Sequence, residues 1–177
     1  MNAKNMRWPL VLVSFFLTLG LLLGGNYLYN LQQFNRPLEN SYTEHPDILS
    51  YTIKNEKELV HIEIELKRVT NLDKTHLDIV QSTRAILGHS NFSLSIVDNS
   101  SEKLDRAWSK INFHIEKAVS DGDYPAAAVA IEDIASEHGI EVSFSVTPDY
   151  VYLAAYDEDH YLYKIRERNP QTGVNQQ

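Results

Sequence analysis

His61, Glu63 and Glu65 are the first residues of this 177-residue chain whose types and spacing suit chemistry. They alternate with Ile62, Ile64 and Leu66, so an extended backbone points all three polar side chains to one side. One imidazole and two carboxylates are ligands for a divalent metal, and with Asp98 they are also the groups a hydrolase would use for acid–base work. Geometry weighs against the metal. Same-face neighbours on a strand lie about 6.6 Å apart, so Glu65 and His61 cannot share one ion without a donor from elsewhere. A solvated strand face shows the same alternation with no ligand at all.

Other chemistry-bearing residues are equally self-contained. Asp157-Glu158-Asp159-His160 is acidic, but it lacks the spacing and glycine of a calcium loop and reads as an exposed turn. His76 and His114 lie on or near helical apolar stripes, where an imidazole with a local partner is the ordinary finding. The seven histidines form no metal-binding run. No nucleophile elbow, phosphate loop or dinucleotide turn is present. With no cysteine, disulfides, thiol nucleophiles, zinc fingers and iron–sulfur ligation are excluded. The expectation is therefore no metal, no cofactor and no catalytic residue, which weighs against an enzyme.

The remaining concentration of functional side chains is aromatic. Five of the ten tyrosines, Tyr150, Tyr152, Tyr156, Tyr161 and Tyr163, fall within fourteen residues. If Tyr156 pairs with Tyr161 across a turn at residues 157–160, all five share one face with Ile165. The opposite face then carries Val151, Leu153, Ala155, Leu162, Lys164 and Arg166. Such a face is a candidate binding surface, since an apolar ring with a polar tip suits interfaces.

The elements that must position these groups follow from periodicity. Residues 48–54 and 59–69 read as a strand hairpin, and apolar spacing from Leu72 to Leu87, ended by Gly88, gives a helix with Thr70 and Asp73 at its start. Phe92, Leu94 and Ile96 form a short strand. Leu104, Ala107, Trp108, Ile111, Ile115 and Ala118 stripe a second helix, and Pro125 opens a third that ends at Gly139. Alternation at Ile140, Val142, Phe144 and Val146 precedes the tyrosine hairpin. The predicted order β-β-α-β-α-α-β-β-β implies an α+β, two-layer domain: a mixed sheet of about five or six strands with three helices on one face.

Before that domain lies an uncharged apolar run. Residues 8–29 are long enough to cross about 30 Å of hydrocarbon as a helix. Lys4 and Arg7 precede the run, which favours a cytoplasmic N-terminus, and no small-residue cleavage site follows it. The expected organisation is a cytoplasmic segment 1–7, a transmembrane helix 8–29, a polar linker 30–46, an extracytoplasmic α+β domain 47–168 and a frayed tail 169–177. Lys4, Arg7 and Arg36 precede Pro37 without a single acid, so removing them from the formal −8 leaves −11 for the rest. An acidic body disfavours nucleic acid and anionic lipid surfaces. The sequence thus predicts a single-pass cell-membrane protein carrying a non-catalytic binding or assembly domain of the cell envelope. Its partners would be the membrane through residues 8–29 and either an envelope protein or a second copy. The competing expectation is a membrane-anchored hydrolase of cell-wall or peptide material using Glu63, Glu65, Asp98 and His61.

Overall fold

The computed structural model describes residues 12–22, 36–56, 59–88 and 91–168, and the chain divides into two compact units, Met1–Glu44 and His45–Gln177. In the first unit, α1 covers residues 12–22 and α2 covers Arg36–Glu44. Among the described residues no helix is long and apolar enough to cross a membrane. The described residues of α1 span roughly 16 Å at 1.5 Å per residue, about half of what a hydrocarbon layer requires. The expected transmembrane helix, and the single-pass cell-membrane localisation that rested on it, are corrected accordingly. Residues 8–11 and 23–29 of the apolar run, the N-terminal segment 1–7 and the tail 169–177 lie outside the described residues.

The stretch read as a linker also contains order. Pro37 sits in the first turn of α2, where a missing N–H costs nothing, and Leu38 and Tyr42 recur at a spacing of four.

The second unit runs β1 (Ile48–Glu56), β2 (Leu59–Leu66), α3 (Leu72–Leu87), β3 (Asn91–Val97), α4 (Glu102–Asp121), α5 (Tyr124–His138), β4 (Glu141–Val146), β5 (Tyr150–Asp157), β6 (His160–Glu167). The class is α+β, but the strands form two three-stranded sheets in place of one mixed sheet. In the first sheet β1 pairs antiparallel with β2, and β2 pairs parallel with β3 across α3. In the second, β4, β5 and β6 form an antiparallel meander in which Tyr156 pairs with Tyr161.

The break between the sheets has a local cause. A single bridge joins Asn99 to Tyr161, whose N–H donates to the Asn99 carbonyl at 3.0 Å. The next outward amide, Tyr163 N–H, donates to the Asp98 carboxylate at 2.6 Å. A side chain thus takes the position of a ladder carbonyl, and the pairing between β3 and β6 stops.

The helices likewise divide between the two faces of the second sheet. On one face, Leu104, Ala107, Ile111 and Ile115 of α4 and Ile131 of α5 bury Val151, Leu153, Ala155 and Leu162. On the other, α3 meets β5 where His76 contacts Tyr152. Ser101 caps α4 by accepting from Leu104 N–H at 3.2 Å, and Asp123 caps α5 by accepting from Ala126 N–H at 3.1 Å. Between them the chain reverses through Gly122 at φ 78°, a backbone setting that favours glycine.

Candidate functional site

Past the Asn99–Tyr161 bridge the edges of β3 and β6 diverge and leave a groove of about 650 Å³. Ser93 to Ile96 form one wall and Tyr163 to Arg166 the other. Each wall contributes consecutive residues. β3 and β6 are the end strands of their sheets, so each wall carries an outer strand edge. His76 on α3 reaches the groove from beneath, while His61, Glu63 and Lys54 extend it over β2 and β1.

Ion pairs line the rim. Lys54 pairs with Glu63 at 3.4 Å, Arg166 with Glu116 at 3.0 Å, and Lys164 with Asp98. Lys164 also lies 5.8 Å from the ring centre of Trp108, on the α4 side of the sheet. The groove thus gathers three cations, each held in an ion pair, on a chain of formal charge −8.

The tyrosines predicted to share a face do share one, and the structure places it largely inside the unit. Tyr152, Tyr156, Tyr161 and Tyr163 are buried and Tyr150 is half-buried. Their cover is α3 and the chain leading into it. Tyr156 Oη donates to the Val69 carbonyl at 2.5 Å, with the Arg68 guanidinium 4.4 Å above the Tyr156 ring. Tyr163 Oη donates to the Lys67 carbonyl at 3.0 Å and accepts from Val69 N–H at 3.1 Å. Burial pushes all five phenols above their usual range, so each stays protonated and able to donate. Tyr163 also lines the groove, which links the aromatic hairpin to the site.

Replacing Tyr163 with Phe removes both bonds and leaves the Val69 N–H and the Lys67 carbonyl to find other partners. The expected loss is about 1–3 kcal/mol, read as a lower urea midpoint at unchanged slope. A loss below about 0.5 kcal/mol would show that water replaces the phenol without cost.

His76 is almost completely buried, with Nδ1 3.1 Å from Tyr152 Oη and its ring edge-on to Tyr150 and Tyr152. Burial lowers its pKa to about 4, so the imidazole is neutral near pH 7.

The polar set on β2 does not converge. His61 Nδ1 contacts Ser93 Oγ at 2.7 Å, Glu65 accepts from Ser50 Oγ at 2.7 Å, and Glu63 is held by Lys54. Among the described residues no group of three His, Asp or Glu side chains is placed to hold a metal. Asp98 lies at the junction of the sheets, where it binds Tyr163 N–H and Lys164. His114 is half-buried on α4 beside Phe113. In the acidic turn, hydrogen bonds from Lys103 and Ser101 hold the Asp157 carboxyl below the usual range. That carboxylate ties the turn to the start of α4.

Ser93, Lys164 and Arg166 are groove residues that periodicity alone does not single out. The one available signal is a pair of cations closing the final strand of a strongly acidic domain. No family model, curated protein or solved structure matches the chain.

Proposed function

We propose that the chain is a non-catalytic binding and assembly module whose receiving surface is the groove between β3 and β6. The observation that carries this reading is the make-up of the walls, which belong to β3 and β6, the end strands of the two sheets. Glu63, Glu65 and Asp98 each have their own local partner. Main-chain edges bind by pairing, and their ligand is another protein segment. The acidic body disfavours nucleic acid as the alternative partner.

The second reading is hydrolysis, favoured by one contact. Ser93 Oγ and His61 Nδ1 lie 2.7 Å apart at the groove, the separation at which a base can take a hydroxyl proton. One experiment separates the two readings. A photoreactive benzophenone side chain in place of Ser95, inside the groove, is expected to give a discrete protein adduct in cells. The same group at Val129, exposed on α5, is expected to give none. In parallel, the purified chain is expected to hydrolyse p-nitrophenyl acetate no faster than its Ser93→Ala variant. Adducts from Val129 alone contradict the groove, and turnover lost in Ser93→Ala establishes the hydrolase.

A further inference from the structure

The groove offers hydrogen-bonding partners on both sides at once. On β6, the Tyr161 and Tyr163 amides point away from β5, toward Asn99 and Asp98. Strand alternation puts the Ile165 N–H on the same side, facing the groove. Opposite it runs the edge of β3 that β2 does not use. Paired strands lie about 4.8 Å apart, so one strand inserted between the two edges requires them to stand about 9.6 Å apart. Four residues on each wall, at about 3.3 Å per residue, correspond to roughly 13 Å of extended chain.

Charge selects the occupant. Lys54, Lys164 and Arg166 face the groove, Glu63 is the one carboxylate of its described lining, and Asp98 and Glu116 pair Lys164 and Arg166 from outside that lining. The Lys54 and Arg166 side chains are more than half exposed. Ion pairs of that kind hold their partners weakly, so an incoming carboxylate can take over either cation at small cost. A second copy of this chain, carrying the same −8, would meet like-charge repulsion over the rest of its surface.

We propose that the groove binds an acidic peptide segment in extended conformation, inserted as a strand between β3 and β6 and joining the two sheets into one. This rests on the binding reading above and adds the ligand class and the mode of pairing.

The test presents the full chain to an immobilised library of ten-residue peptides in which acidic and basic residues are equally represented. The expected result is enrichment of peptides carrying Asp or Glu at alternate positions. The strongest of these, resynthesised with N-methyl groups on alternate backbone nitrogens, is expected to bind at least a hundredfold more weakly, because it can pair along one edge only. Lys54→Glu combined with Arg166→Glu is expected to weaken the unmodified peptide at least tenfold. Lys54→Gln combined with Arg166→Gln gives a second, milder readout that leaves no new charge.

Enrichment of basic peptides that protect the groove overturns the acidic ligand and leaves the binding reading standing. Undiminished affinity of the N-methylated peptide overturns strand insertion. Enrichment of no peptide, with self-association of the chain in sedimentation, overturns the proposal in favour of a second copy. If the chain neither binds a peptide nor associates, the binding reading fails with it.

Discussion

Leu153→Ala is expected to destabilise the second unit by about 3–5 kcal/mol. Leu153 lies on the central strand β5 with no exposed surface, enclosed by Leu104, Ala107, Ile111, Ile115 and Ile131 from the two helices above it. Its strand neighbours on that face are Val151 and Ala155, too small to fill the space. The backbone beneath is fixed on both sides by β4 and β6. The site therefore collapses poorly, and the cost of a cavity adds to the lost transfer energy of the removed atoms. Domains of this size are stable by only about 5–15 kcal/mol, so the change removes a large part of the total. Phe113→Ala, at a ring 70 % exposed on α4, is the control and is expected to shift stability by less than about 0.5 kcal/mol. Chemical denaturation of the two variants checks both values. Equal losses would mean that α4 and α5 do not pack on β5 as described.

Acid is expected to act through His76. The buried ring has a pKa of about 4, against the unperturbed value of 6.5. Between these values the unfolded chain binds a proton that the folded chain does not, so stability falls as pH drops below 6.5 and the loss levels off below about 4. The full effect is about 3 kcal/mol, because each tenfold weakening of proton binding on folding is worth about 1.4 kcal/mol. His76→Gln keeps a side chain able to meet Tyr152 Oη and removes the titration. The stability advantage of the parent over this variant is therefore expected to shrink by about 3 kcal/mol between pH 7 and pH 4. The carboxylates titrate in both proteins and cancel in the difference. Parallel stability curves would show that the ring is protonated without penalty, which its burial between Tyr150 and Tyr152 does not allow.

These two residues also mark what the sequence made legible. Apolar spacing identified the stripe of α4, and alternation along β5 and β6 placed Leu153 and the tyrosines on opposite faces with Tyr156 against Tyr161, as the register confirms. Periodicity assigns the faces of an element but says nothing about which neighbour covers them. The tyrosine face is covered by α3 and the chain from Lys67 to Val69 through hydrogen bonds that span about 90 positions. Edges are less legible still. Ser93 and Ile165 read as ordinary strand residues, and only Asp98, taking the Tyr163 amide in place of a strand carbonyl, separates the sheets and opens the groove. Within the apolar run at residues 8–29 the described residues, 12–22, are helical, and no described helix is long and apolar enough to cross a membrane. Pro37 concealed α2 because the same residue both starts helices and breaks them.

Hydrogen exchange at the backbone amides of the two walls is the most direct check on the groove. With the enriched acidic peptide bound, the Ile165 amide and the outward amides between Ser93 and Ile96 are expected to exchange at least tenfold more slowly. Those on the free edges of β1 and β4 should be unchanged. Protection confined to β1 or β4, or no change between β3 and β6 at saturating peptide, would contradict a ligand seated between the two sheets.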